Sequence, residues 1–409
     1  MRHHSDEKPR SAGSWVREQR LPSVEELAWL RSVAGVACCR EMAAGRGADT
    51  PAAIAYWRER LDPHLVTAAW SQVVLRRAAA GRFSRAADML FDRVGLEQTT
   101  DEVVAGHKAK RFAGLGPVAD LCCGIGGDAL ALAAVANVTV VDWSAPRVAM
   151  AEHNARVYGG EVLGLVADAA VARPEVGAVH VDPDRRPQGL RRHEPELGSP
   201  NLAEVANLVR HYTNVAVKLS PGADSEALPF DAEVELISHH GECKQAVAWT
   251  GRLAGCYRRA TALPSGETVG VDSPDDLTWP SPGEIAAGRL LYEPDAAVVR
   301  AHLVGPLARQ YELAPVDPLI AYLVGDREVR SSLLAGFRIL EVIPWSTVSA
   351  RKLLHRHDVG RLEIKTRGFA GRPEDLLRKL RPKGQTSAAL LLTRLGDRPV
   401  GILAQRLRA

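Results

Sequence analysis

The sequence predicts an α/β protein: a parallel sheet with helices on both faces, preceded by a helical region and followed by a small α+β domain. Three observations predict it. Between residue 116 and about residue 265, short β-rich runs alternate with helical patterns. Within that stretch, VADLCCGIGGDALALA takes an apolar strand into Asp120, then a turn with Gly124, Gly126 and Gly127, then a helix former. From Glu341 to Ala409 there are 15 Lys and Arg against 6 Asp and Glu, so the +3 of the whole chain leaves −6 on the residues before Glu341. A basic end on a mildly acidic body suggests a polyanionic partner for that end, or a solvated basic face.

Length and composition bound the rest. The 409 residues, 46% apolar and 25% charged, suit a globular protein of two or three domains. MRHHSDEKPRSAGS is polar and is expected to be a disordered tail over 1–14, with no secretory segment. No run approaches the ~18 apolar residues of a membrane helix. Six cysteines include no C-x-x-C spacing, so no metal is expected. The expected setting is cytoplasmic, with reduced thiols and no membrane partner.

Residues 15–95 read as helical. Ser23 and Glu26 have capping-box spacing ahead of Leu27, Leu30 and Val33. LEQTTDEVVAGHKAKRF opens a second region, 96–290, with Thr99 and Glu102 again at capping-box spacing. Its β-rich runs are PVADLC, NVTVVDW, VLGLVAD, AVHVDPD, NVAVKLS and AEVELISH. Residues 264–284, rich in Pro, Gly, Ser and Asp, read as a linker or long loop. The last region, 291–409, reads as helix, strand, strand, helix, strand, helix, strand, strand.

The glycine turn is built for close approach, and what approaches is the next question. A P-loop needs a Lys and a hydroxyl that are missing here, and a dinucleotide fingerprint needs its third glycine later. Asp120 precedes the glycines; a carboxylate repels a pyrophosphate and holds an ammonium group. S-adenosylmethionine carries such a group and no phosphate. Asp142 ends the next strand and can accept both ribose hydroxyls, Trp143 beside it can cover the adenine, and Asp168 ends the third strand near the adenine amino group. Each acid alone could instead be a helix cap.

With these residues in view the chain resembles the class I S-adenosylmethionine-dependent methyltransferases, closest to the bacterial group with a C-terminal THUMP-like domain. The resemblance rests on LEQTTDEVVAGHKAKRF, DLCCGIGGDALALA, AVHVDPDRR, VAVKLSPG and SHHGECKQAVAWTG, and extends over roughly residues 80 to 409. The region from DLCCGIGGD to Asn154 and Ala155 is also similar to the RNA-cap trimethylguanosine synthases. It implies a Rossmann-like methyltransferase sheet, S-adenosyl-L-methionine as cofactor, and RNA as partner. The expected cofactor set is Thr100, Asp120, Cys122, Gly124, Gly126, Gly127, Asp142, Trp143 and Asp168.

AVHVDPDRRPQG lies where relatives that methylate base amines carry a D/N/S-P-P-aromatic loop. Asp182 and Pro183 keep the first half of that motif; Asp184 and Arg185 replace the rest. Asp182, Pro183, Asp184 and Arg185 are the expected catalytic set, with Asp182 orienting the acceptor nitrogen. Arg185 and Arg186 can hold substrate or pair with nearby acids. Arg186 and Arg191 are expected at a substrate rim, and Lys218 either lines the pocket opposite or sits on the surface. Lys365 and Arg367, in the basic domain that resembles THUMP-like modules, are expected RNA contacts, as are Arg351, Lys352, Arg356, Arg378, Lys379, Arg381 and Lys383. Cys122 and Cys123 read as small packing residues under the turn rather than nucleophiles. The expected function is methylation of a base nitrogen of RNA; the alternatives are a protein or small-molecule methyltransferase, or a non-catalytic RNA-binding protein.

Overall fold

The computed structural model describes residues 20–45, 51–183 and 199–407, in two compact units. The first takes the chain through Lys218 together with Thr250–Leu253; the second takes Leu219–Trp249 and the chain from Ala254.

The first unit opens with helices α1 (Val24–Arg31), α2 (Val33–Ala44), α3 (Pro51–Arg58) and α4 (Pro63–Ala79). The expected capping box starts α1: Glu26 N donates to Ser23 Oγ at 3.2 Å, and Ser23 N donates to the Glu26 carboxylate at 2.8 Å. Two short helices follow, α5 (Arg93–Gln98) and α6 (Glu102–Ala109). Here the structure corrects the expected cap. Asp101, not Thr99, caps α6 by accepting from Val104 N at 2.9 Å, while Thr99 ends α5.

A parallel sheet then forms through β1 (Val118–Leu121), α7 (Ala129–Leu132), β2 (Val138–Asp142), α8 (Ala145–Val157), β3 (Val162–Val166), β4 (Ala178–Val181), α9 (Leu202–His211) and β5 (Val215–Leu219). Its order is β3-β2-β1-β4-β5. Every residue of β1, β4 and β5 is buried, as expected of parallel strands covered on both faces. The order reverses direction at β1/β4, and ligands of such sheets bind outside the carboxyl ends of the strands at that point. One apolar cluster joins Leu27, Leu75, Phe83 and Phe91 of the helical region to Ile125, Leu130 and Met150 around the glycine turn.

The second unit begins with β6 (Glu233–His239), β7 (Glu242–Trp249), β8 (Arg258–Leu263) and β9 (Glu267–Val271), in the order β7-β6-β8-β9. Here the pairing becomes mixed: β6 and β8 are parallel, while β6/β7 and β8/β9 are antiparallel. The stretch expected as a long loop contains β9, whose Glu267 accepts from Ser331 Oγ at 2.6 Å and Tyr311 Oη at 2.7 Å.

A second sheet follows, with β10 (Leu290–Pro294), α10 (Ala296–Arg300), α11 (Val304–Gln310), β11 (Ala314–Asp317), β12 (Ile320–Gly325), β13 (Leu334–Pro344), α12 (Thr347–Arg356), β14 (Val359–Thr366), α13 (Pro373–Leu380), β15 (Thr386–Leu395) and β16 (Arg398–Arg406). Its order is β11-β12-β10-β13-β16-β15-β14. Helices α12 and α13 bury Leu353, Leu354, Leu376 and Leu380 against Leu390, Leu392 and Leu403 of one face. Among the described residues no helix is long and apolar enough to cross a membrane, and no group of His, Cys, Asp and Glu could hold a metal ion.

Candidate active site

The first unit carries a cleft of about 690 Å³ at the carboxyl ends of its strands, within the usual range for small-molecule sites. The glycine turn forms its floor. Cys122 has φ 59° and Gly124 φ 54°, so the chain leaves β1 through left-handed backbone. A Cβ on Gly124 would meet nothing within 4 Å, which leaves its backbone open to a ligand. The other two glycines meet packed neighbours, and Gly127 also lines the cleft. A Cβ on Gly126 would sit 2.8 Å from Ala151 Cα, so this glycine lets α8 approach the turn. Gly126 therefore does not line the cleft, contrary to expectation. A Cβ on Gly127 would overlap Thr99 Oγ1.

Asp142, Trp143 and Asp168 all line the cleft. Asp142 is buried; Oδ1 accepts from Ser144 N at 2.9 Å and Oδ2 from Gly124 N at 3.1 Å. Its carboxylate thus ties β2 to the glycine turn. Trp143 is 74% exposed, an apolar plate at the mouth. Asp168 accepts from Ala170 N at 2.9 Å. Cys122 and Thr100 also line the cleft. Cys123 lies beside Cys122; burial pushes its thiol well up, which suits packing rather than nucleophilic attack.

Asp182 and Pro183 reach the cleft from the end of β4. Lys218 stands behind Asp182 rather than across the pocket: its Nζ donates to Asp182 Oδ2 at 2.6 Å and to Gln98 O at 3.0 Å. It is buried and does not line the cleft itself, but both its hydrogen-bond partners, Asp182 and Gln98, do. Asp184, Arg185, Arg186 and Arg191 lie outside the described residues.

Asp120 is the main correction. It does not face the cleft; at 1% exposure it accepts from His180 Nδ1 at 2.7 Å. The carboxylate on the glycine turn that does face the cleft is Asp128. Its Oδ1 lies 2.6 Å from Lys108 Nζ, and its Oδ2 accepts from Thr100 Oγ1 at 2.7 Å. Burial would raise Asp128, but Lys108, then His180 and Lys218, outweigh it and hold its carboxyl below the usual range. Asp120 is raised, by burial above all, with the neighbouring His180 opposing. Lys108, Asp128, His180 and Arg147 were missed by sequence reasoning. Arg147 lines the cleft from α8, 3.7 Å from Asp92.

Lys365 and Arg367 are a second correction. Lys365 Nζ lies 2.5 Å from Glu293, and Arg367 lies 3.4 Å from the same carboxylate. Their charges are met within the sheet. The open basic ground of the second unit lies instead on α12 and α13, where Arg351, Arg378, Lys379 and Arg381 surround a recess of about 390 Å³ with one acid, Asp375.

The cleft fits S-adenosylmethionine on its own chemistry. Gly124 gives backbone access, Asp142 offers acceptors for a ribose diol, Trp143 offers an apolar plate, and the carboxylates suit a cationic ligand. Comparisons with known proteins agree. Residues 116–169 match the RNA cap guanine-N2 methyltransferase family, residues 334–406 match a THUMP domain-like family, and residues 23–79 match a domain of unknown function. Two strains of Mycobacterium tuberculosis carry an uncharacterized S-adenosylmethionine-dependent methyltransferase that is 38% identical over 335 residues, covering 79% of this chain and 91% of the relative. A candidate methyltransferase from Porphyromonas gingivalis W83, solved by crystallography, shares the fold with a TM-score of 0.77 at 19% identity, covering 95% of this chain and 100% of that one. This chain belongs to the S-adenosylmethionine-dependent methyltransferases.

Proposed function

We propose that the enzyme methylates RNA at a base nitrogen that carries a hydrogen. The observation that carries the RNA reading is the recess on α12 and α13, where four cations face one acid within the stretch similar to THUMP domains. Such a surface suits phosphates, and Arg in particular pairs with them in a fork. The similarity of residues 116–169 to RNA cap guanine-N2 methyltransferases points the same way.

The bound cofactor supplies an electrophilic methyl group. The residues of the chain supply alignment. Asp182 Oδ2 is engaged by Lys218, so Oδ1 remains to accept an N–H at the cleft. A carboxylate so placed orients the nitrogen lone pair and favours acceptors with a hydrogen to offer. The Pro183 carbonyl is a second acceptor at the same rim.

The test is transfer of labelled methyl groups to RNA from a strain lacking the gene, followed by nucleoside mass spectrometry. The expected result is one labelled base, lost in Asp182→Ala while cofactor binding persists. Arg378→Glu/Arg381→Glu should weaken RNA binding and flatten its salt dependence, each lost phosphate contact reducing the log–log slope by ~0.7–0.9. Label found in protein or small molecules, and none in RNA, overturns the reading.

A further inference from the structure

We propose that Asp128, positioned by Lys108, is the carboxylate that binds the α-ammonium group of S-adenosylmethionine. The inference concerns the cofactor and stands apart from the choice of RNA as substrate.

Four carboxylates line the cleft, and three are placed for other work. Asp142 ends β2 and holds the turn through Gly124 N and Ser144 N. Asp168 follows β3, at the edge of the sheet. Asp182 ends β4, on the acceptor side, and is engaged by Lys218. Asp128 alone belongs to the glycine turn between β1 and α7, directly after Gly127. The open backbone at Gly124 makes that turn the bed for the amino-acid tail.

The surroundings of Asp128 are built rather than incidental. Lys108, 1% exposed, has its ammonium between Asp128 Oδ1 at 2.6 Å and His180 Nε2 at 3.2 Å. A lysine only donates, so Nε2 accepts and the Nδ1–H donates to Asp120. Asp120 thereby fixes the tautomer, His180 directs Lys108, and Lys108 directs Asp128. Asp128 uses two of about four acceptor positions, on Lys108 and Thr100, and keeps room for an ammonium donor.

The test separates the tail of the cofactor from its nucleoside. S-adenosylmethionine and S-adenosylhomocysteine carry the ammonium; 5′-methylthioadenosine lacks the amino-acid part. Affinities are measured by calorimetry, with competition for the weak ligand. Asp128→Asn should weaken both amino-acid-bearing ligands by about 10-fold or more, the loss of one charge-assisted hydrogen bond, and leave 5′-methylthioadenosine within about twofold. Because Asp128→Asn strands the Lys108 charge, Asp128→Asn/Lys108→Met is measured beside it, with the same expectation. Asp120→Asn keeps an acceptor for His180 and should retain the cofactor within about threefold. The proposal is overturned if both Asp128 variants bind all three ligands normally, if 5′-methylthioadenosine falls in parallel, or if Asp120→Asn alone loses the tail.

Discussion

Replacing Lys218 by Met tests whether Asp182 depends on a buried cation. The methionine keeps most of the aliphatic stem and removes the ammonium. Two hydrogen bonds go with it, 2.6 Å to Asp182 Oδ2 and 3.0 Å to Gln98 O. Removing one member of a fully buried pair costs about 3–5 kcal/mol. The Lys218 side chain is 6% exposed but that of Asp182 is 24% exposed, so water can reach the stranded carboxylate. That lowers the expected cost to about 2–4 kcal/mol, with a hydrogen bond to a charged group at about 1.5–3. At about 2–4 °C per kcal/mol for a unit of this size, the melting transition of the first unit should fall by about 4–16 °C in calorimetry. Asp182→Asn added to Lys218→Met removes the stranded charge and should restore about 1 kcal/mol or more relative to additivity. A shift below about 2 °C, or strictly additive variants, would show that the pair does not hold this wall of the cleft.

Two further outcomes follow from the same unit. Gly127→Ala places a Cβ against Thr99 Oγ1 and 2.9 Å from Thr100 O, so it should destabilise by about 1–3 kcal/mol. Thr99→Ala in that background should recover only part, because the Thr100 carbonyl remains; an unchanged melting temperature for Gly127→Ala refutes the packing role. Asp120 has its pKa raised in the folded state, chiefly by burial, so the native chain binds that proton more tightly than the unfolded chain. Its contribution is therefore favourable at acid pH and is lost as pH rises from the unfolded value, about 3.9, through the folded one. Asp120→Asn should gain stability relative to the parent across that rise, read as melting temperature against pH; a difference independent of pH sinks the assignment.

The parts of this site legible in the sequence are those at strand ends. Asp142, Asp168 and Asp182 follow apolar runs, and a strand end in a parallel sheet faces the ligand whichever way the strand's side chains alternate. Asp142 and Asp182 accordingly reach the cleft. In the second unit the helical period was legible in α13, whose Leu376 and Leu380 are buried while Arg378 and Lys379 between them are exposed. Elements β8 and β9 were not. β8 opens on Arg258, buried beside Glu226 despite its charge, and β9 sits in a stretch dominated by turn formers. Apolar periodicity fails where buried charges are paired by partners distant in sequence.

Asp120 shows why the rest was hidden, and how it could have been found. All four residues of β1 are buried, so no polar alternation reveals which way Asp120 points. The sheet pairing does. Asp120 is the register partner of His180 on β4, and the β4–β5 register that ends at Val181 and Val217 brings Asp182 opposite Lys218 one step later. A charged or imidazole side chain in a fully covered strand cannot be left without a partner, because its burial costs several kcal/mol otherwise. Three such residues in the neighbouring strands β1, β4 and β5 must therefore be satisfied by one another or by an adjoining helix, here Lys108 of α6. Once the strand order is assumed, that requirement alone turns Asp120 toward His180 and away from the cleft.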